Sequence, residues 1–192
     1  MARKTLYIKN MVCHCCLRVI SEDLRKYGIV VHRMQLGEAD IEYDESRFSE
    51  KFITDIIRGS GFELITDRNT IICEQIKLAV IELVHYANNV NSIIRKSDYL
   101  VEKMNMSYQQ ISKTFSKHEN ITLEKFIILH KIERTKELIL SNEYTLSEIA
   151  FMMDFSSVHH LSNTFKKVTG VAVSEFKKSP ATFKKSIDNL IM

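Results

Sequence analysis

A chain of 192 residues, 45% hydrophobic and 27% charged, has the composition of a folded protein with one large domain or two small ones, and this excludes a disordered chain. One proline and five glycines leave room for few sharp loops and much helix. No apolar run approaches the roughly 20 residues needed to span a bilayer, so no membrane partner is expected. MARKTLYIKN enters an alternating pattern with no apolar signal core, which makes the cytoplasm the expected compartment. Gly-rich phosphate loops, nucleophile–base sets and framed carboxylate pairs are all missing, so the expectation is that the chain is not an enzyme. Charge is uneven. Residues 1–70 carry 11 basic against 11 acidic side chains, whereas residues 71–192 carry 16 against 13. That bias in the second part is compatible with a nucleic-acid partner.

Residues 1–68 alternate strand and helix signals. TLYIK has period two, and CCLRVISEDLRKYG then spaces Leu17, Ile20 and Leu24 helically up to Gly28. IVVHRMQLG and ADIEYD read as strands about a Gly-containing turn. RFSEKFITDIIRGSG is amphipathic through Phe48, Phe52, Ile53, Ile56 and Ile57 and stops at Gly59 and Gly61, before the strand FELIT. The order βαββαβ predicts an α+β domain of ferredoxin-like type, a four-stranded sheet with both helices on one face.

Three of the four cysteines fall in 10-NMVCHCC-16. Two thiolates two residues apart, one in a loop and one in the first helical turn, can point at a single ion. The helix N-terminus lowers thiol pKa there. Thiolates select soft ions, Cu(I) first, with Zn(II) or another thiophilic metal as competitor. A strand, then M-x-C-x-x-C, then a helix closely resembles the heavy-metal-associated domain of copper chaperones and metal-pump modules over residues 3–67. ADIEYD and GSGFE also fall where that family has similar runs. The resemblance implies Cys13 and Cys16 as metal ligands, Met11 packed beneath the loop, and Phe62 facing the site. His14 and Cys15 fill the two variable positions, and Asn10 replaces the usual glycine. Cys15 is open between third thiolate, intermolecular bridge and helix-surface thiol. His14 is open between further ligand and exposed loop residue. For the pair itself, metal binding stands beside thiol redox sensing and a metal-blind interaction module. Cys73, in an apolar helical stretch, reads as a buried inert thiol.

From residue 69 the strand signal fades and an all-α half follows. Residues 69–96 predict a connecting helix, and 97–192 a set of short helices parted by polar turns. Thr145 and Glu148 make a capping box. SDYLVEKMNMSYQQISKTFSKHENITLEKF can be laid over LSEIAFMMDFSSVHHLSNTFKKVTGVAVSEF, so a repeated short helix, turn and second helix is expected, the two copies joined by a helix of about twenty residues. KIERTKELILSNEYTLSEIAFMMDFSSVHHLSNTFKKVTGVAVSEFKK resembles the double helix-turn-helix region of the AraC/XylS transcriptional regulators over about 100 residues. Asp154 stands where the turn glycine is usual, and Asp tolerates the left-handed region. Val173 replaces a usual proline.

Ile111, Phe115, Phe155, Leu161 and Phe165 recur at inward-facing spacings and form the expected core. The opposite faces offer Gln109, Ser112 and Lys113 in the first unit and Val158, His159, Ser162 and Asn163 in the second, which match base-contacting positions of the resembled family. Ser107, Lys117, Ser156, Ser157, Lys166 and Lys167 are placed for phosphates. The alternative for each of these residues is a place on a solvated helix face.

The combined expectation is a one-component transcriptional regulator that responds to a thiophilic metal at its N-terminal thiols. Its expected partners are double-stranded DNA, RNA polymerase and a second copy in a homodimer. A metal-trafficking protein is the reading from a different class.

Overall fold

The computed structural model describes residues 1–86 and 96–178. The chain divides into two compact units, Met1–Leu78 and Ala79–Met192.

In the first unit the strands are β1 (Ala2–Lys9), β2 (Val30–Gln35), β3 (Glu38–Tyr43) and β4 (Glu63–Ile65). Helices α1 (His14–Lys26) and α2 (Glu50–Gly59) alternate with them, and α3 (Arg68–Ile81) follows. The sheet order is β2-β3-β1-β4, with every neighbouring pair antiparallel. Register puts Leu6 opposite Ala39 and Ile8 opposite Leu64, so the apolar alternation of each strand falls on one side of the sheet. Leu6, Ile8, Ala39, Ile41 and Tyr43 form a single buried cluster there with Ile20 and Leu24 of α1 and Ile53 and Ile57 of α2. Both helices therefore cover the same face. Each buried Ile or Leu contributes about 1.5–3 kcal/mol.

Local chemistry sets the ends of these elements. Ser49 caps α2 by accepting from the Phe52 N–H. The two-residue turn Leu36-Gly37 between β2 and β3 needs φ +80° at Gly37. A Cβ at Gly37 would also stand 2.5 Å from the Leu78 side chain. The compact division falls after Leu78, where the end of the strand signal had suggested residue 68, and the Leu78 side chain lies against this turn.

α3 is buried at Cys73, Ile76, Ala79, Val80 and Ile81, and gives way to a π-helical turn, Glu82–Tyr86. The connecting helix expected over 69–96 is thus helical as far as Tyr86, and residues 87–95 lie outside the described residues. The rest of the second unit comprises α4 (Lys96–Met104), α5 (Tyr108–His118), α6 (Leu123–Ser141), α7 (Leu146–Met152), α8 (Val158–Thr169) and α9 (Val173–Lys178). Residues 179–192, the end of the expected DNA-binding half, also lie outside the described residues.

Ile132 and Ile139 of α6, Ile149 of α7, Leu161 and Phe165 of α8 and Phe176 of α9 form one core. Phe115 of α5 packs on Phe126 of α6, ring centroids 5.1 Å apart. The five side chains expected inward, Ile111, Phe115, Phe155, Leu161 and Phe165, are all buried. Beside Phe126 the wholly buried His130 ring touches His85 of the π-helical turn.

Candidate nucleic-acid interface and thiol pair

Two helix–turn–helix units, α4–α5 and α7–α8, are joined by α6. Their turns share one device. Asn105 and Asp154 follow α4 and α7 with φ of 50° and 54°. The next residue, Met106 or Phe155, donates its N–H back to the carbonyl of Val101 or Ala150. This is the left-handed helix end in which a carbonyl of the last turn is satisfied, and Asp154 takes up the left-handed conformation expected of it there.

The second helices correspond position by position. Ser107 caps α5 by accepting from Gln110 N–H, and Ser157 caps α8 by accepting from His160 N–H at 3.0 Å. Ile111 and Phe115 are buried where Leu161 and Phe165 are. Gln109 then corresponds to His159, Ser112 to Ser162, Lys113 to Asn163 and Lys117 to Lys167. Of these, Gln109, Lys113, Lys117, His159, Asn163 and Lys167 are exposed, as is Lys166, whereas Ser112 and Ser162 are half-buried. Val158 is half-buried too and packs against the second-unit core, which leaves part of its surface outward.

Several of these side chains already have partners. Ser112 Oγ donates to Glu124 Oε1 at 3.4 Å, and the Tyr108 hydroxyl donates to the same oxygen at 3.2 Å. Burial and the Glu124 carboxylate push the Tyr108 hydroxyl up to about 12. Ser156 Oγ lies 3.0 Å from His160 Nδ1, whose ring stands edge-on to Phe155. Asn163 Nδ2 lies 2.9 Å from His159 Nε2. Reading the residues one at a time missed this last pairing, although their i,i+4 spacing was a signal that could have found it.

The thiol pair sits where β1 hands over to α1. Asn10, with φ 69°, adopts the left-handed conformation that a glycine would. Met11 is buried, and its Sδ accepts from Gly37 N–H at 3.4 Å. Cys13 is the N-cap of α1, with no side-chain capping bond. Its Sγ lies 3.6 Å from Cys16 Sγ, and Cys16 N–H donates to the Cys13 carbonyl at 3.1 Å. Two thiolates about 2.3 Å from one tetrahedral ion stand roughly 3.8 Å apart, so the pair fits a shared thiophilic ion. Burial acts to raise the Cys13 thiol, but hydrogen bonds from Cys16 and Cys15 outweigh it and hold Cys13 below the ordinary thiol value. Burial pushes Cys16 up, and the neighbouring Cys13 adds to this.

Cys15 and His14 are exposed, and hydrogen bonding from Cys15 helps to hold the Cys13 thiol down. Among the described residues no group of three or more His, Cys, Asp or Glu could hold a metal ion. Phe62, expected to face the site, is half-buried and packs against the first-unit core, as Cys16 does. Cys73 is buried within α3.

Paired helix–turn–helix units with polar second-helix faces define the second unit as a helix-turn-helix domain, of the kind that lays a helix in the DNA major groove. Residues 100–179 match the family model described as "Helix-turn-helix domain". The chain is 29% identical over 112 residues to the Msm operon regulatory protein of Streptococcus mutans, a stretch covering 54% of this chain and 37% of that protein. It is 25% identical over 99 residues to the Xylose operon regulatory protein of Escherichia coli, which covers 52% of this chain and 25% of that protein. The chain therefore spans well under half the length of these relatives. No helix among the described residues is long and apolar enough to cross a membrane.

Proposed function

We propose that this chain is a sequence-specific DNA-binding transcriptional regulator of AraC/XylS type whose N-terminal unit responds to a thiophilic metal ion, Cu(I) favoured, at Cys13 and Cys16. The observation that carries the DNA-binding part is the pair of matched helix–turn–helix units. Each has a serine-capped second helix, with an apolar face buried and a polar face exposed. Lys117, Lys166 and Lys167 supply charge for phosphates, and the outward residues of α5 and α8 supply donors and acceptors for base edges.

The order β2-β3-β1-β4 supports a ferredoxin-like N-terminal unit, and the Sγ–Sγ distance supports a shared ion. Structural zinc sites use four protein ligands. Two thiols, with the exposed Cys15 and His14 beside them, offer the soft donors that select Cu(I). RNA polymerase and a second copy of the chain are the further partners of this reading.

A promoter-binding and transcription assay with and without Cu(I) tests it, comparing the wild type with the Cys13→Ser/Cys16→Ser variant. A Cu(I)-dependent response lost in the variant is expected. Equal affinity and equal transcription in all four conditions would remove the sensor and leave the DNA-binding assignment standing.

The unequal thiols favour a second reading, a redox sensor in which Cys13 is oxidised first and Cys16 closes the disulfide. Thiol counts on protein purified under reducing conditions and then exposed to mild oxidant separate the two.

A further inference from the structure

We infer that His159 and Asn163 act as one reading unit, in which His159 is a positioning residue that sets the Asn163 amide to read adenine. The inference rests on the DNA-binding reading and goes beyond it, because it assigns a base preference and a division of labour within α8.

The two side chains lie four residues apart on α8, both exposed, with Asn163 Nδ2 2.9 Å from His159 Nε2. An amide nitrogen only donates, so the His159 Nε2 lone pair accepts and the ring proton sits at Nδ1. The bond removes one of the two Nδ2 hydrogens from use, leaving Asn163 with one N–H and the whole of Oδ1. One donor beside one acceptor is what adenine requires, at N7 and N6 respectively. Guanine offers two acceptors, O6 and N7, and would need both N–H groups. The His159 bond therefore favours adenine twice, by aiming the fork and by withholding the second donor.

It also reduces the cost of ordering. A free Asn on a helix surface samples several rotamers, whereas the bond selects one before DNA arrives. The helix that carries the pair is itself fixed: Ser157 caps it at His160 N–H, and Leu161 and Phe165 are buried on its opposite face. At the corresponding positions of the first unit stand Gln109 and Lys113, and a lysine presents only donors. The two reading helices therefore differ in the base they ask for, which gives the site a direction.

The test is in vitro selection from a random DNA library with the full chain, run on the wild type, His159→Ala, Asn163→Ala, the double variant and His159→Gln. The wild type is expected to enrich a motif with adenine at one position of the second unit's half-site. Asn163→Ala and His159→Ala should both relax that same position, by about tenfold, and leave the rest of the motif unchanged. The double variant should be no worse than Asn163→Ala. Glutamine can still accept from Asn163 across one helical turn, so His159→Gln should restore the preference. Thermal melting of each variant is expected to match the wild type, since both residues are exposed. Relaxation of two different positions by the two alanine variants, or an intact adenine preference in His159→Ala, would overturn the inference while leaving the DNA-binding reading in place. Failure of the wild type to enrich any sequence would overturn that reading, and the inference with it.

Discussion

His130 Nδ1 lies 3.2 Å from His85 Nε2, with His130 wholly buried against Phe126 and His85 at the π-helical turn that ends the α3 segment. His130 Nε2 has no hydrogen-bond partner among the described residues. A bare imidazole lone pair is less costly to bury than an unpaired N–H. That argues for His130 Nδ1–H donating to His85, whose own Nδ1 then faces Glu137 Oε2 at 4.0 Å. Arg134 donates to the same Glu137 oxygen at 2.7 Å.

This arrangement sets a pH dependence of stability. Burial, assisted by the neighbouring His85, pushes His130 down to about 3 from 6.5, and burial also lowers His85. The unfolded chain takes up its proton near pH 6.5 while the folded chain does not. The stability held above pH 6.5 is therefore lost progressively between about pH 6.5 and 3, on the order of 5 kcal/mol over the whole window. Urea unfolding at pH 7.5, 6 and 5 is expected to give falling midpoints, and His130→Phe should flatten that slope. An equally steep slope in the variant would show that another group is responsible.

The thiol pair predicts an order of reaction. Cys13 lies below and Cys16 above the ordinary thiol value, so Cys13 holds more thiolate at neutral pH. Limited iodoacetamide treatment of reduced, metal-free protein at pH 7, read by peptide mass spectrometry, should label Cys13 ahead of Cys16, and the buried Cys73 last. One equivalent of Cu(I) should protect Cys13 and Cys16 together.

The left-handed turn at Asp154 predicts a graded substitution series. Glycine takes φ 54° without steric cost, whereas a β-branched residue does not. Asp154→Val is expected to lower stability by about 1–3 kcal/mol and to weaken DNA binding with it. Asp154→Gly should stay near wild type, because the exposed ion pair to Lys131, at 3.7 Å, contributes about 0–1 kcal/mol. Denaturant midpoints check both.

Lys167 stands exposed on α8, with Lys117 at the corresponding place on α5. If each meets one phosphate, Lys117→Ala and Lys167→Ala should weaken binding about equally across DNA sequences, and each should flatten the plot of log affinity against log salt by about one. Fluorescence anisotropy over a salt series measures it. Loss confined to one sequence would assign base contact instead.

Much of this architecture is legible in the sequence. Strand alternation in TLYIK and ADIEYD, the helical spacing of Leu17, Ile20 and Leu24, and the Thr145–Glu148 capping box are local signals that tertiary packing had only to ratify. Capping and turn chemistry act within one helical turn, and Asp154 could be placed at a left-handed turn from the family resemblance together with the tolerance of Asp for that region. The end of the first compact unit was not legible, since the strand signal stops near residue 66 while Leu78 still packs on Gly37. The regular helix ends at Ile81, where a helical-period reading of the same apolar run continues.

By itself the sequence determined the order of elements, the two helix–turn–helix repeats and the position of Cys13 and Cys16 between strand and helix. These follow from the period of the side chains and from residues that favour one backbone conformation. Only the tertiary structure decided which polar groups distant in the chain meet: Met11 with Gly37 and His85 with His130. Such pairings depend on rotamers and on helix placement to a fraction of an ångström, and hydrogen-bond energy falls steeply outside that range. A pattern of residue types carries no such precision.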